Sequence, residues 1–273
     1  MILLHVAVAA LYLLTAWALW PAPAATAPAG PRLPALPANS ASVLLPAALL
    51  LHAWVSWNGV ATPEGLDISL ANAVSVVGGL VAAVAWASGL LGTLPAIGTV
   101  VLPVAAASAL LPALLTNPSR FAYGGDAIAA VHVAVALVSY AMFLVAALQA
   151  LVMMGLEKRL RRRLPDPESA ALPPLLTLER FLFRLVAVGF VLLTLTLVSG
   201  IMFTEQLFGK PLQWNHKSVF SVLGWLTFGA LLWGRWRYGW RGRIALRWII
   251  SGTVFVFLAY LGSKFVLEVL LGR

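Results

Sequence analysis

The chain carries four imidazoles, His5, His52, His132 and His216, and no thiol. Without cysteine, disulfides, thiolate metal sites and thioether attachment of a cofactor to this chain are excluded, so a metal would have to take histidine, methionine, tyrosine or carboxylate ligands. Two of the histidines stand at the head of apolar runs. His132 begins "HVAVALVSYAMF", where three-and-four spacing lays His132, Ala136, Ser139, Tyr140 and Phe143 along one helical stripe. His216 lies in "LQWNHKSVFSVLGW", with Phe220 and Gly224 following at intervals of four. Small residues next to an imidazole leave a low surface for a flat ligand. Two such helices facing each other could hold a planar macrocycle between two imidazoles.

Haem has that shape. Its iron accepts axial imidazole, its ring buries against aliphatic and aromatic walls, and its propionates need cations at a wet edge. Zinc or copper would also suit several histidines, but neither calls for low, aromatic-lined surfaces. Lys217, Lys264 and Arg120 are the cations on the right side for propionates, although snorkelling to the interface competes with that role, most strongly for Arg120. A single histidine in a membrane span ordinarily hydrogen-bonds a neighbouring helix or anchors at the surface. Trp54, Trp57 and Trp214 likewise match an interfacial aromatic belt, whereas Trp225 lies deep enough to pack inside.

The elements that must position these groups follow from the composition. Of 273 residues, 62% are hydrophobic and 10% charged, the balance of a chain whose solvent is lipid. Spans of ~20 apolar residues fall near 1–20, 42–57, 67–88, 94–115, 127–154, 181–203, 217–233 and 246–268. The expected fold is therefore all-α, a polytopic membrane bundle of about eight transmembrane helices. The first run has no basic n-region and is expected to be a retained span rather than a signal peptide.

Basic residues near span ends stay cytoplasmic, and the loops at 157–169 and 234–247 carry most of them. With eight spans one side holds 13 of the 18 Lys and Arg and the whole net charge of +9. Both termini are then expected on the extracytoplasmic side, with all four histidines within a turn or two of that surface. The arginine-rich loops are orientation signals that attract anionic lipid, and nucleic acid is not an expected partner.

Residues 1–20 are expected to form a first helix set apart by a Pro/Ala-rich cytoplasmic linker at 21–41, followed by a seven-helix membrane portion at 42–273. A second proline-rich stretch around 164–181 is expected to divide five spans from three. Pro95, Pro103 and Pro112 predict a kinked or broken fourth span, a feature that transporters also use. No internal repeat supports a transporter. No nucleophile and base pair, phosphate loop or HExxH frame is present, so no catalytic step is expected.

The stretches "HVAVALVSYAMFLVAALQALVMMGLEKRLRRR", "LQWNHKSVFSVLGWLTFGALLWGRWRYGWRGRIALRW" and "LAYLGSKFVLE" cover most of 127–268. They resemble the membrane proteins of cytochrome c assembly and haem handling, the group that includes CcsA, CcmC and HemX, and are most similar to the HemX and YpjD branch. The resemblance implies outward-facing histidines that bind haem next to a tryptophan-rich segment ending in Trp-Asp, with His132 and His216 at the matching positions. Here "TEQLFGKPLQWNHKS" keeps Trp214 but has no Trp-Asp pair.

The function expected is non-covalent binding of haem b by His132 and His216 near the outer face of a bacterial inner membrane. Lys217, Lys264, Arg120, Tyr140, Phe220 and Trp214 surround the site, and His5 and His52 form a reserve pair. The role is a step of cytochrome c biogenesis or haem trafficking, with other maturation or haem-synthesis proteins as partners. The alternatives are a scaffold that influences haem synthesis without binding haem and, less favoured, a small-molecule transporter.

Overall fold

The structure is a computed structural model that describes residues 1–19, 37, 39–62, 65–93, 95–115, 120–121, 127–161, 175–208 and 216–266. Most of the 21–41 linker, the basic loop after residue 161 and Trp214 lie outside the described residues. The helices are α1 (Ile2–Ala18), α2 (Ser40–Val60), α3 (Leu70–Ala87), the short α4 (Leu90–Thr93), α5 (Pro95–Leu114), α6 (Ala127–Arg161), α7 (Leu175–Phe208), α8 (His216–Tyr238) and α9 (Gly242–Phe257). The last span continues as a π-helical turn at Leu258–Gly262 and a final α-helical turn, α10 (Ser263–Phe265). Among the described residues seven helices are long and apolar enough to cross a bilayer, and α1 is one residue short of that length.

Side-chain contacts fix the directions of the helices. His132, Ser139 and Gln149 on α6 bond to Ser199, Gly189 and Leu178 on α7, so these two helices run antiparallel in a constant register. Trp225 and Arg235 on α8 reach Thr194 and Glu179 on α7, which makes α8 antiparallel to α7 and parallel to α6. At the end where α6 begins, a small antiparallel sheet, β1 (Ala61–Thr62), β2 (Gly65–Asp67) and β3 (Arg120–Phe121), ties the α2–α3 turn to the α5–α6 turn. The four histidines all lie in the half of the bundle nearest this sheet.

α1 is not set apart. It packs on α2 and α5, with Val8 and Tyr12 wholly buried, and His5 on α1 bonds to Ala109 on α5. A Pro/Ala-rich linker at 21–41 predicts a free helix only if that helix has no buried polar groups to satisfy. Three of them, His5, Tyr12 and Thr15, lie on its inner face. The fifth span, α6, packs against α3 as well as against α7 and α9.

The fourth span is less broken than its prolines predict. Pro95 opens α5, where its missing N–H is no loss, and α5 runs on through Pro103 and Pro112 to Leu114. Small residues let the helices approach closely, as expected where lipid gives no hydrophobic drive for association. A Cβ on Gly78 would collide with Ser108, and one on Gly252 would come within 2.8 Å of Phe228.

Candidate functional site

Helices α6 and α8 meet through their phenyl rings. Phe143 and Phe228 stack face to face with centroids 3.8 Å apart, seated on Gly189 of α7 and Gly252 of α9. His132 lies eleven residues before Phe143, and His216 twelve residues before Phe228. On parallel helices rising 1.5 Å per residue, those separations are ~16 and ~18 Å. The two imidazole-bearing residues therefore stand at nearly one level above a shared aromatic contact, with α7 and α9 flanking the pair.

His132 is half-buried, and its Nδ1 lies 2.7 Å from Ser199 Oγ. Ser199 in turn donates to the carbonyl of Leu195 at 2.7 Å, with that of Thr196 at 3.2 Å. His216 is the exposed first residue of α8. The adjacent Lys217 sends its Nζ to 5.5 Å from the centroid of the Tyr260 ring, a cation–π contact. Lys217 is within electrostatic reach of His132 and of Lys264. Tyr260 lies on the π-helical turn and stacks on Tyr140 at 5.8 Å. Tyr140, Lys217 and Tyr260 thus form one contiguous group, to which α6, α8 and the end of the last span each contribute.

Not every expected member joins this group in the expected way. Phe220 stacks on Phe255 of α9, and Gly224 packs against Val256 of the same helix, where an added Cβ would come within 2.7 Å of Cγ2. The low stripe on α8 is therefore filled by α9. Small residues on a span serve close helix packing as readily as ligand access, and the spacing alone does not distinguish the two uses. Arg120 lies on β3, in register with Asp67. Tyr140 and Tyr260 line a small apolar cleft together with Phe143, Val256 and Leu261.

His5 and His52 belong to a separate polar cluster. His52 is 2% exposed and both its ring nitrogens face hydroxyls, Nδ1 that of Tyr12 at 3.1 Å and Nε2 that of Ser75 at 3.0 Å. His5 donates from Nδ1 to the carbonyl of Ala109 at 2.7 Å. These contacts are those of hydrogen-bonding residues that join α1, α2, α3 and α5. Among the described residues no three His, Asp or Glu side chains gather as a metal site.

Two members of the site were not singled out from the sequence. Ser199 precedes Gly200 near the end of the sixth apolar run, and serines there ordinarily bond back to their own helix, as Ser199 also does. Tyr260 is four residues from Lys264, a spacing that places both on one face and that could have drawn attention to it.

Membrane-length helices, with His132, His216, Lys217 and Lys264 at one end of the bundle, define a polytopic membrane protein with a candidate site at one rim. The chain belongs to the cytochrome c assembly protein family, whose model matches residues 41–271. The inner membrane protein YpjD of Escherichia coli K12 is 36% identical over 140 residues, 51% of this chain and 52% of that protein. An uncharacterised 28.8 kDa protein of Azospirillum brasilense is 34% identical over 141 residues, 52% of each. The cytochrome c biogenesis protein CcsA of Trichormus variabilis is 34% identical over 86 residues, 32% of this chain and 24% of that one. The chain spans about half the length of the first of these relatives. No solved structure matches it. It is a multi-pass inner-membrane protein of the cytochrome c assembly family.

Proposed function

We propose that the protein binds haem b non-covalently at the rim where α6 and α8 begin, and hands it on in cytochrome c biogenesis or a related step of haem trafficking. His132 and His216 would supply the axial nitrogens, and Lys217 and Lys264 would meet the propionates. The observation that carries this reading is the common level of the two histidines above the Phe143–Phe228 stack, with the Lys217 ammonium next to His216 in sequence and 5.5 Å from the Tyr260 ring centroid. The donor set fits haem: two imidazoles and two ammonium groups, beside the stacked rings of Tyr140 and Tyr260.

When bound, haem supplies an iron that can be carried or can exchange an electron. The chain's own residues hold it. The imidazoles would orient the ring, the lysines would neutralise its acidic edge, and the apolar helices would keep water from the porphyrin face. No catalytic step on this chain is proposed. On this reading the rim faces the extracytoplasmic side, which the exposed Arg237, Arg241, Arg243 and Arg247 around the opposite end of α8 and α9 support.

The test is an absorption spectrum of the protein purified in mild detergent after haem-replete expression, oxidised and reduced. A sharp reduced band that is lost in His132→Ala and in His216→Ala, each still running as one monodisperse species, supports the ligand pair. Unchanged spectra in both variants remove it. A second reading, a scaffold that acts without haem, is favoured by the exposed Trp233, Trp236 and Tyr238 next to those arginines, a surface suited to partners or lipid headgroups. Colourless protein would move the assignment there.

A further inference from the structure

We infer that Ser199 is a positioning residue that holds His132 in the Nδ1–H tautomer and so leaves the lone pair of the neutral ring on Nε2. The argument counts protons. A serine hydroxyl has one proton to donate and lone pairs to accept with. Ser199 Oγ lies 2.7 Å from the Leu195 carbonyl oxygen and 3.2 Å from that of Thr196. Two oxygens at 2.7 Å with no proton between them repel, so the Ser199 proton is committed to its own helix. The 2.7 Å contact to His132 Nδ1 must then be filled by a proton on the ring nitrogen.

A neutral imidazole protonated at Nδ1 carries its lone pair on Nε2. Metal-bound histidines are held in the same way, with the far N–H donated to a fixed acceptor that sets the ring's orientation and raises its basicity. The acceptor here is better placed than an isolated serine, because its own donation to a backbone carbonyl polarises the oxygen that receives the ring proton. The geometry also links the site to α7, which brings Ser199 to His132 across 67 residues of sequence.

His5 offers an internal comparison. Its Nδ1 donates to the Ala109 carbonyl, which can only accept, so His5 is also an Nδ1–H imidazole. His52 differs, since each of its nitrogens faces a hydroxyl able to donate or accept. Proton counting therefore assigns tautomers to His5 and His132 and leaves His52 as the ring whose form its neighbours can exchange.

The inference rests on the haem reading only for what Nε2 does, and its test separates the two. Haem-free protein, labelled with 15N at histidine, is examined by NMR at a pH where the rings are neutral, and the His132 signal is identified by its loss in His132→Gln. The expected result is a protonated Nδ1 and an unprotonated Nε2. Ser199→Ala should shift that ring toward the Nε2–H form, and Ser199→Thr, which keeps the hydroxyl, should restore the original pattern. Addition of haem should then show affinity reduced roughly ten-fold or more in Ser199→Ala and recovered in Ser199→Thr. An Nε2–H ring in the unaltered protein, or a pattern indifferent to Ser199→Ala, overturns the inference. The expected tautomers without haem binding by the unaltered protein would uphold Ser199 and reject haem.

Discussion

Phe143 and Phe228 lie 8° from parallel with their centroids 3.8 Å apart, and through them two helices that are not neighbours in sequence share one reference point. The common level of His132 and His216 is measured from that stack. In lipid such a contact stabilises by packing rather than by expelling water, so its shape matters more than its area.

Phe228→Ala should therefore destabilise the protein by about 3 kcal/mol, since a fully buried phenyl leaves a void against Gly252. Unfolding of the intact protein by a denaturing detergent measures this. The same variant should weaken haem binding although the residue is ~18 Å from the proposed ligand.

Gly252→Ala tests the opposite error. The added methyl would come within 2.8 Å of the Phe228 ring. Overpacking of this kind costs about 1–3 kcal/mol. Paired with Phe228→Leu, which removes the ring edge, part of that loss should return in a double-mutant comparison.

His52→Leu should separate the two histidine clusters. It leaves the Tyr12 and Ser75 hydroxyls without the ring that they face. The expected loss is about 1–3 kcal/mol of stability, with the reduced haem band retained at full intensity in the surviving folded protein. Loss of the band with the fold intact would return His52 to the ligand set.

Lys217→Gln should weaken haem binding about ten-fold, the effect of one charged hydrogen bond of about 1.4 kcal/mol. Lys217→Arg should keep most of the affinity, because a cation near the Tyr260 ring is retained. Haem titration at low and high salt checks both, and the difference between the variants should narrow as salt rises.

At the other end of the bundle, Arg235→Gln should lower stability with no change at the haem band. Arg235 bonds to Glu179 at 2.6 Å, lies over the Phe183 ring and donates to the Trp240 carbonyl, so one substitution unties α7, α8 and the α8–α9 turn together. The expected cost is about 2 kcal/mol, because a half-buried carboxylate is left without its partner. Detergent unfolding of the variant compared with Glu179→Gln would confirm the pairing if the double variant costs little more than either alone.

The spans were legible because lipid enforces long apolar runs, and His132, His216 and Lys217 drew attention as candidates because polar groups near the mouth of such runs stand out. The ends were less so. α6 and α7 extend to Arg161 and back to Leu175, beyond the apolar runs, since charged residues continue a helix well when their side chains find partners outside the lipid. Glu157 with Arg243 and Glu179 with Arg235 are such partners. Packing partners were hidden for a different reason. Gly224 has the same spacing whether a ligand or Val256 fills the space beside it, and Ser199 gains its meaning only when α7 folds back onto α6.

The π-helical turn at Leu258–Gly262 has a consequence for the angular setting of Lys264. A π-turn accommodates one residue more than the α-helical turn it replaces, and each residue advances an α-helix by ~100°. Removing one residue from that turn would rewind the segment and swing the lysine about a quarter-turn around the helix axis. The ammonium's bearing toward the rim is thus set by a single inserted residue, a form of tuning that leaves every neighbouring side chain chemically unchanged.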